Sequence, residues 1–152
     1  MQLRRKFILS TIISIACAAL PVATLAQETT APETPEFLLE LNNAQDTDTG
    51  GCRLTYVATN GSPDALSETA FEFAVFDAEG VVSRILVLEF GALIAGKTKI
   101  LQFDLPDGGC ENLSRIVVNN VAACTLADGS DAGALCSEGL TTRSRTAIQF
   151  GT

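Results

Sequence analysis

The chain has 152 residues, with 18 acidic and 10 basic side chains and no histidine, so its formal net charge at pH 7 is −8. Without imidazole, the chain has no Ser/His/Asp or Cys/His catalytic centre and no histidine ligand for a metal. The negative charge opposes binding to nucleic-acid backbones and to anionic lipid surfaces. The length suits a single domain.

Residues 1–26 are predicted to be a signal peptide. The basic residues 4–6 precede an apolar run over residues 7–20, which is too short to span a bilayer as a helix. Pro21 ends this run ahead of a small-residue site, so cleavage is predicted after Ala26. The mature chain is therefore expected in the periplasm or outside the cell, without a stable membrane insertion.

The export route stays open between two alternatives, and a third interpretation fits less well. Residues 4–8 (RRKFI) match the twin-arginine motif in part, with Leu3 where Ser or Thr is usual. A paired arginine is also common in signals of the general secretory (Sec) route. Residues 14–17 (SIAC) could form a lipobox with Cys17 as a lipidated N-terminus, but Ser14 replaces the usual Leu and apolar residues follow the cysteine.

The mature chain begins with a predicted flexible leader, residues 27–36 (QETTAPETPE). This segment holds acids, prolines and threonines but no large apolar side chain, so it cannot bury enough surface to offset the cost of ordering. Loss of the three cations at residues 4–6 leaves 7 basic and 18 acidic groups, a formal charge of −11. The folded domain is predicted to cover residues 37–152.

From Phe37 onward, short apolar stretches alternate with Gly, Asn, Asp and Pro, which predicts many strands and no long helix. The predicted strands cover residues 37–41, 52–59, 69–77, 81–89, 98–105, 113–121 and 142–150. A sheet with one apolar face needs a second layer to cover it. The fold class is therefore predicted to be all-β, as one antiparallel β-sandwich of about seven strands.

The mature chain keeps four cysteines, Cys52, Cys110, Cys124 and Cys136, and this even number in an exported chain predicts two disulfides. A zinc site made of four thiolates would need closely spaced cysteine pairs, which the sequence lacks. If successive strands run antiparallel, Cys52 and Cys110 lie at one end of the sandwich and Cys124 and Cys136 at the other. The predicted pairs are therefore Cys52 with Cys110 and Cys124 with Cys136.

Part of the mature chain, residues 52–118, resembles bacterial exported immunoglobulin-like modules of the FxLYD type. The shared motifs are ATNG at residues 58–61, FAVFDAEG at 73–80 and LIAGKT at 93–98. Residues 51–52 and 118–124 are also similar to a group of uncharacterised small exported proteins with a twin-arginine-like signal. The resemblance implies an immunoglobulin-like sandwich and carries no catalytic residue to this chain, and the FxLYD modules generally lack its cysteines.

Two acidic loops are candidates for calcium. Asp46 and Asp48 have the spacing that can open a calcium loop, but Val57 stands where an EF-hand loop ends in Glu or Asp. Residues 128–131 form a second acidic loop, and we expect solvated turns at both places. Residues 60–62 (NGS) match a glycosylation sequon and are interpreted as turn chemistry.

Residues 84–90 are apolar on both faces, whereas strands of antiparallel sandwiches usually keep one face in water. We expect the C-terminal segment or a loop to cover the second face. The alternative is an exposed patch that binds a partner or a second copy. In that case Phe76 and whichever of Val87 and Leu88 points outward would form a dimer face.

The sequence favours an exported, non-enzymatic binding or structural module that needs no cofactor. Its partner would be an unidentified protein or a second copy of the chain. The alternatives are a hydrolase that uses only carboxylates and a calcium-dependent adhesive domain. A buried acid pair with a raised pKa would mark the hydrolase.

Overall fold

A computed structural model of the chain describes residues 36–152. The predicted signal peptide (1–26) and all but the last residue of the predicted leader lie outside these residues. Within the described range, no helix combines the length and the apolar character that crossing a membrane requires.

Eight strands form two four-stranded sheets that pack face to face as a sandwich. Sheet A has the order β5-β2-β1-β7, and sheet B has the order β4-β3-β6-β8. The strands are β1 (Phe37–Asp46), β2 (Cys52–Asn60), β3 (Leu66–Phe76), β4 (Val82–Glu89), β5 (Lys97–Leu105), β6 (Arg115–Leu126), β7 (Leu140–Ser144) and β8 (Gln149–Gly151). A 3₁₀ turn (Cys110–Asn112) precedes β6, and a short helix α1 (Gly133–Ser137) follows it. The predicted two-layer sandwich is confirmed.

Alternate side chains of each strand point into the core, as β2 illustrates. Its residues Leu54, Tyr56 and Ala58 are buried against sheet B, while Arg53 between them is exposed. β1 begins with the same alternation and then continues to Asp46, five residues beyond its predicted end at residue 41. This extension pairs with β2 through its backbone, with Asp46 opposite Cys52, while its side chains are mostly polar and exposed. A hydropathy pattern cannot detect a strand segment whose side chains are polar and exposed.

The prediction of a purely antiparallel sandwich is wrong at the C-terminus. The single strand predicted over residues 142–150 is two strands, and they lie in different sheets: β7 pairs parallel to β1, and β8 pairs parallel to β6. Since successive strands alternate in direction, two odd-numbered or two even-numbered strands can only pair in parallel. Residues 145–148 carry the chain from one layer to the other, so both sheets are mixed.

Two disulfides join the pairs that the sequence predicts, Cys52 with Cys110 and Cys124 with Cys136, with Cα–Cα separations of 4.8 Å and 6.3 Å. The first links β2 of sheet A to the 3₁₀ turn ahead of β6. The second ties β6 of sheet B to helix α1, which leads into β7. Each link therefore connects a strand to the segment that delivers the chain to or from the other sheet.

The core is built around aromatic side chains. Tyr56 is fully buried, and its ring lies 5.5–6.1 Å, centroid to centroid, from those of Phe73, Phe90, Phe103 and Phe150. Three of these four contacts are edge-to-face, an arrangement that the ring quadrupoles favour. The cluster draws residues from both sheets and packs them against each other.

Candidate functional site

The outer face of sheet B exposes apolar side chains along β4. Ile85 is 59% exposed and Val87 50%, whereas Leu88 is 8% exposed and packs in the core. β4 alternates in this way because Leu88 lies opposite Phe71, an inward residue of β3. Of the pair Val87 and Leu88, Val87 is therefore the outward residue, and Leu88 belongs to the core.

The expectation that the C-terminal segment or a loop covers this face is also wrong for residues 36–152. The C-terminal strand β8 extends sheet B beside β6 and does not lie across its outer face. Val82, at the start of β4, is 46% exposed as well. The outer surface of β4 is therefore an apolar strip open to solvent within the described residues.

Phe76, the other residue of the predicted interface, lies on the same outer face but is only partly exposed. The guanidinium carbon of Arg115 lies 3.9 Å from the centre of its ring, which is a cation–π contact. Phe76 is paired with Arg115 on one side and with Val82 on the other. It therefore forms the basic end of the face, next to the exposed strip.

The opposite end of the outer face is acidic. Glu89 lies opposite Ala70, and Glu72 lies opposite Val87. The Glu72 carboxylate accepts a hydrogen bond of 2.5 Å from the side-chain amide of Asn119 on β6. The face therefore runs from a cation on an aromatic ring, across apolar residues, to carboxylates.

The calcium candidates lie in a polar cleft of about 360 Å³ between the β1–β2 turn and β5. Asp46 is already used in the fold, since its carboxylate accepts a hydrogen bond of 2.6 Å from the backbone N–H of Cys110. Arg53 and Asp104 form a bidentate ion pair on the cleft wall, which raises the pKa of Arg53 and lowers that of Asp104. Arg53 also interacts electrostatically with Asp48. The positive charge of Arg53 therefore opposes the binding of a calcium ion in this cleft.

The second acidic loop closes on itself through hydrogen bonds. The Asp128 carboxylate accepts bonds from the backbone N–H and the hydroxyl of Ser130, at 2.9 Å and 2.6 Å. These bonds lower the pKa of Asp128. Across residues 36–152, no group of three or more carboxylate, thiolate or imidazole side chains is arranged to hold a metal.

Asn60 has the role in turn structure that the sequence predicts. Its side chain is fully buried, and its amide group donates to the backbone carbonyls of Asp64 and Leu93. Its carbonyl oxygen accepts from the hydroxyl and the backbone N–H of Ser62. The sequon at residues 60–62 is therefore a buried polar network that fixes the loop between β2 and β3.

The sequence does not predict the cluster of Glu40 with two arginines on the outer face of sheet A. Glu40 is 5% exposed and accepts hydrogen bonds from Asn42 (2.8 Å) and Arg145 (2.9 Å), with Arg143 at 3.7 Å. The bond from Asn42 and the two arginines outweigh the effect of burial, so the pKa of Glu40 is lowered. Arg143 belongs to β7 and Arg145 follows it, so the cluster holds the C-terminal segment on β1.

The lowered pKa of Glu40 predicts a pH-dependent contribution to stability. A group whose pKa falls on folding stabilises the fold above its unfolded pKa, and this contribution disappears as the pH drops through the folded pKa. The substitution Glu40→Gln should therefore cost about 2 kcal/mol near neutral pH and progressively less in acid. Urea unfolding at a series of pH values measures this, with Glu68→Gln, at an exposed position of β3, as the control. An equal cost of Glu40→Gln at all pH values would contradict it.

Two buried hydroxyls of the core, those of Tyr56 and Thr69, have no hydrogen-bond partner among the described residues. Burial also raises the pKa of Tyr56 above its ordinary value of 10.0. A buried donor without a partner loses its hydration and gains nothing in return. Both hydroxyls therefore lower the free energy of unfolding.

Removal of either hydroxyl is expected to stabilise the protein. Tyr56→Phe and Thr69→Val should each raise the free energy of unfolding by about 1 kcal/mol, because the desolvation cost disappears and the shape is kept. Denaturant unfolding tests this. Ser144→Ala is the contrasting control, since the Ser144 hydroxyl donates to Ile148 O at 2.7 Å, and it should lower stability by about 1 kcal/mol. A loss of stability in both Tyr56→Phe and Thr69→Val would contradict the prediction.

Of the predicted site residues, the structure brings Phe76 and Val87 onto one face and places Asp46 and Asp48 together in a cleft at the end of sheet A. Glu40 was missed, although it stands among inward residues at an outward position of β1. Its arginine partners are more than 100 positions away, with 105 between Glu40 and Arg145, and no local pattern connects them. Searches of protein-family models, curated proteins and solved structures found no match to the chain.

Proposed function

We propose that this chain is an exported, non-enzymatic binding module that contacts its partner through the strip formed by Val82, Ile85 and Val87 on the outside of β4. The observation that carries this proposal is the exposure of the strip, since Ile85 and Val87 are half or more accessible side by side on one strand. Contiguous exposed apolar side chains with a polar rim are typical of protein interaction sites. Phe76 with Arg115 and the carboxylates of Glu72 and Glu89 supply such a rim.

Export is part of the proposal. The two disulfides support an oxidising compartment outside the cytoplasm, where such bonds form and persist. The predicted signal peptide at residues 1–26 agrees with this localisation. The immunoglobulin-like classification is likewise proposed, on the support of two packed four-stranded sheets and of the FxLYD-type motifs.

The acidic side chains support a binding module better than a hydrolase. Glu40 is the one acidic residue that is buried in the described part of the chain, and its pKa is lowered by hydrogen bonds and arginines. A general acid for glycoside hydrolysis needs a raised pKa. Glu40 is therefore suited to hold β1 and the C-terminal segment together and is unsuited to donate a proton at neutral pH.

Substitutions in β4 test the proposal. The oxidised protein cleaved after Ala26 is immobilised and exposed to the exported proteins of its own source, beside the variants Val87→Lys and Ile100→Lys. Ile100 is an exposed isoleucine on sheet A, so it is the control for a new surface lysine. We expect Val87→Lys to lose the bound protein and Ile100→Lys to keep it. Capture that is insensitive to Val87→Lys would contradict the proposal.

A further inference from the structure

We propose that the partner of β4 is the β4 strand of a second copy of this chain, paired antiparallel edge to edge so that the two B sheets become one continuous sheet. In the proposed register, Ile85 lies opposite Val87 of the second copy, and Ser83 lies opposite its Glu89. This inference rests on the proposed function, because it names the occupant of the same β4 surface.

β4 is the unprotected edge of the sandwich. Within residues 36–152 the outermost strands are β5 and β7 of sheet A and β4 and β8 of sheet B. β7 has five residues and β8 has three, which is too short to template another strand. β5 carries Lys97 and Lys99, and lysines on an edge oppose the addition of a strand.

β4 has none of these protections. It is eight residues long and contains neither lysine nor proline, and five of its residues are Val, Ile or Leu. Its one cation, Arg84, is directed to the end of the sandwich, where its guanidinium donates to the carbonyls of Pro106 and Asp107 at 2.9 Å and 3.3 Å. A long apolar edge without such features is expected to pair with another strand.

The free backbone groups of β4 belong to its outward residues. The N–H of Phe90, just after β4, donates to Thr69 O of β3 at 2.8 Å. Hydrogen-bonded pairs alternate along an antiparallel ladder, so Arg84, Leu86 and Leu88 bond to β3, up to the register shift between Val75 and Phe76. Ile85, Val87 and Glu89 therefore direct their N–H and C=O groups to the open edge. These are the residues that the proposed register pairs.

β4 is self-complementary in the proposed register. Ile85 opposite Val87 joins the two apolar strips across the two-fold axis. A shift of the register between the two strands by two residues in one direction puts Ile85 opposite Glu89. A shift in the other direction puts Ser83 opposite Val87. Both alternatives place a polar side chain against an apolar one.

Charge along the whole outer face agrees with an antiparallel orientation of the two copies. Each face has the cation of Arg115 at one end and the carboxylate of Glu89 at the other. An antiparallel pairing sets the basic end of one copy beside the acidic end of the other. β4 itself carries one cation and one anion and is neutral, although the chain as a whole has a charge of −8.

The overall negative charge gives the pairing a recognisable salt dependence. Two acidic copies repel each other at long range, and added salt screens this repulsion. We therefore expect self-association to become tighter as sodium chloride is raised. Binding to a basic partner would weaken under the same change.

Sedimentation equilibrium of the oxidised protein cleaved after Ala26 tests the proposal, from about 10 micromolar to about 1 millimolar, the range of weak protein pairs. We expect dimers to form in this range and Ile85→Lys and Val87→Glu each to weaken dimerisation about tenfold or more. Ile100→Lys, the exposed isoleucine on sheet A, should leave it unchanged. Thermal melting of each variant checks that the fold is intact.

A mixture of variants tests the register. Ile85→Lys with Val87→Glu places the new lysine opposite the new glutamate in the mixed pair, so this mixture should dimerise better than either variant alone. Ile85→Lys with Ile85→Glu does not bring the two charges opposite each other and should show less rescue. Equal rescue in both mixtures would overturn the proposed pairing.

The failure of this inference can be told apart from the failure of the proposed function. A protein that stays monomeric throughout the concentration range overturns self-pairing. If such a monomer still captures another exported protein, and Val87→Lys abolishes that capture, the binding surface on β4 stands with a different occupant. If the protein dimerises and Ile85→Lys has no effect on the dimer, the dimer forms through another surface, and the proposed pairing through β4 is wrong.

Discussion

Replacing Cys52 and Cys110 together by alanine is expected to lower the free energy of unfolding by about 4 kcal/mol. The bond closes a loop with a sequence separation of 58, and the chain entropy that it removes from the unfolded state grows with loop length. Folded domains are stable by only about 5–15 kcal/mol. The double variant should therefore retain little of its stability.

The second disulfide provides the matched comparison. Replacing Cys124 and Cys136 by alanine opens a loop with a sequence separation of only 12, so the expected loss is smaller, about 3 kcal/mol. Urea unfolding of both double variants beside the wild type measures the two values. A larger loss from the shorter loop would show that native contacts, and not loop closure, decide the contribution of each bond.

The substitution Phe73→Ala is expected to cost about 4 kcal/mol, because it opens a cavity in the aromatic cluster between the sheets. Phe73 is fully buried, and its ring lies within 5.8–6.3 Å, centroid to centroid, of the rings of Tyr56, Phe71, Phe90 and Phe150. These neighbours belong to four different parts of the chain and cannot all move into the space. Denaturant unfolding measures the loss.

Phe76→Ala is the control for Phe73→Ala, since it removes the same side chain three positions later on the same strand. Phe76 lies on the outer face under Arg115, and its removal leaves a surface change with no internal cavity. We expect a cost of about 1 kcal/mol, mostly from the lost cation–π contact and from reduced cover of the sheet. Similar costs for the two variants would contradict the assignment of inner and outer faces.

The layers and the core of the fold could be predicted because they depend on local alternation. Leu54, Tyr56 and Phe73 lie at positions whose inward direction follows from their neighbours two residues away, and the structure buries all three. The disulfide pairs could also be predicted, because they need only the alternating direction of successive strands. These inferences use short-range patterns and chain direction, both of which are present in a single sequence.

Features that depend on which strands become neighbours could not be predicted. The parallel pairing of β7 with β1 joins Leu140 to Phe37, and nothing local in either segment specifies the other. The Glu40 cluster could not be predicted for the same reason, since Arg145 contacts Glu40 only once β7 is paired with β1.

The inner and outer faces of β4 could be predicted only in part. The sequence identifies a strand that is apolar on both faces, but the choice between Val87 and Leu88 as the outward residue depends on the register with β3. Leu88 opposite Phe71 makes that choice in the structure. The alternation was visible from the sequence, while the face assignment needed the partner strand.

The most direct test of the account is amide hydrogen exchange, resolved by residue with NMR, along β4 of the oxidised protein cleaved after Ala26. If β4 is an open edge, the amides of Leu86 and Leu88 are protected by β3, and those of Ile85 and Val87 exchange rapidly in dilute solution. The proposed pairing adds that Ile85 and Val87 become protected as the concentration rises. Protection of Ile85 and Val87 in the dilute monomer would contradict the account, because it would mean that another part of the chain already covers this edge.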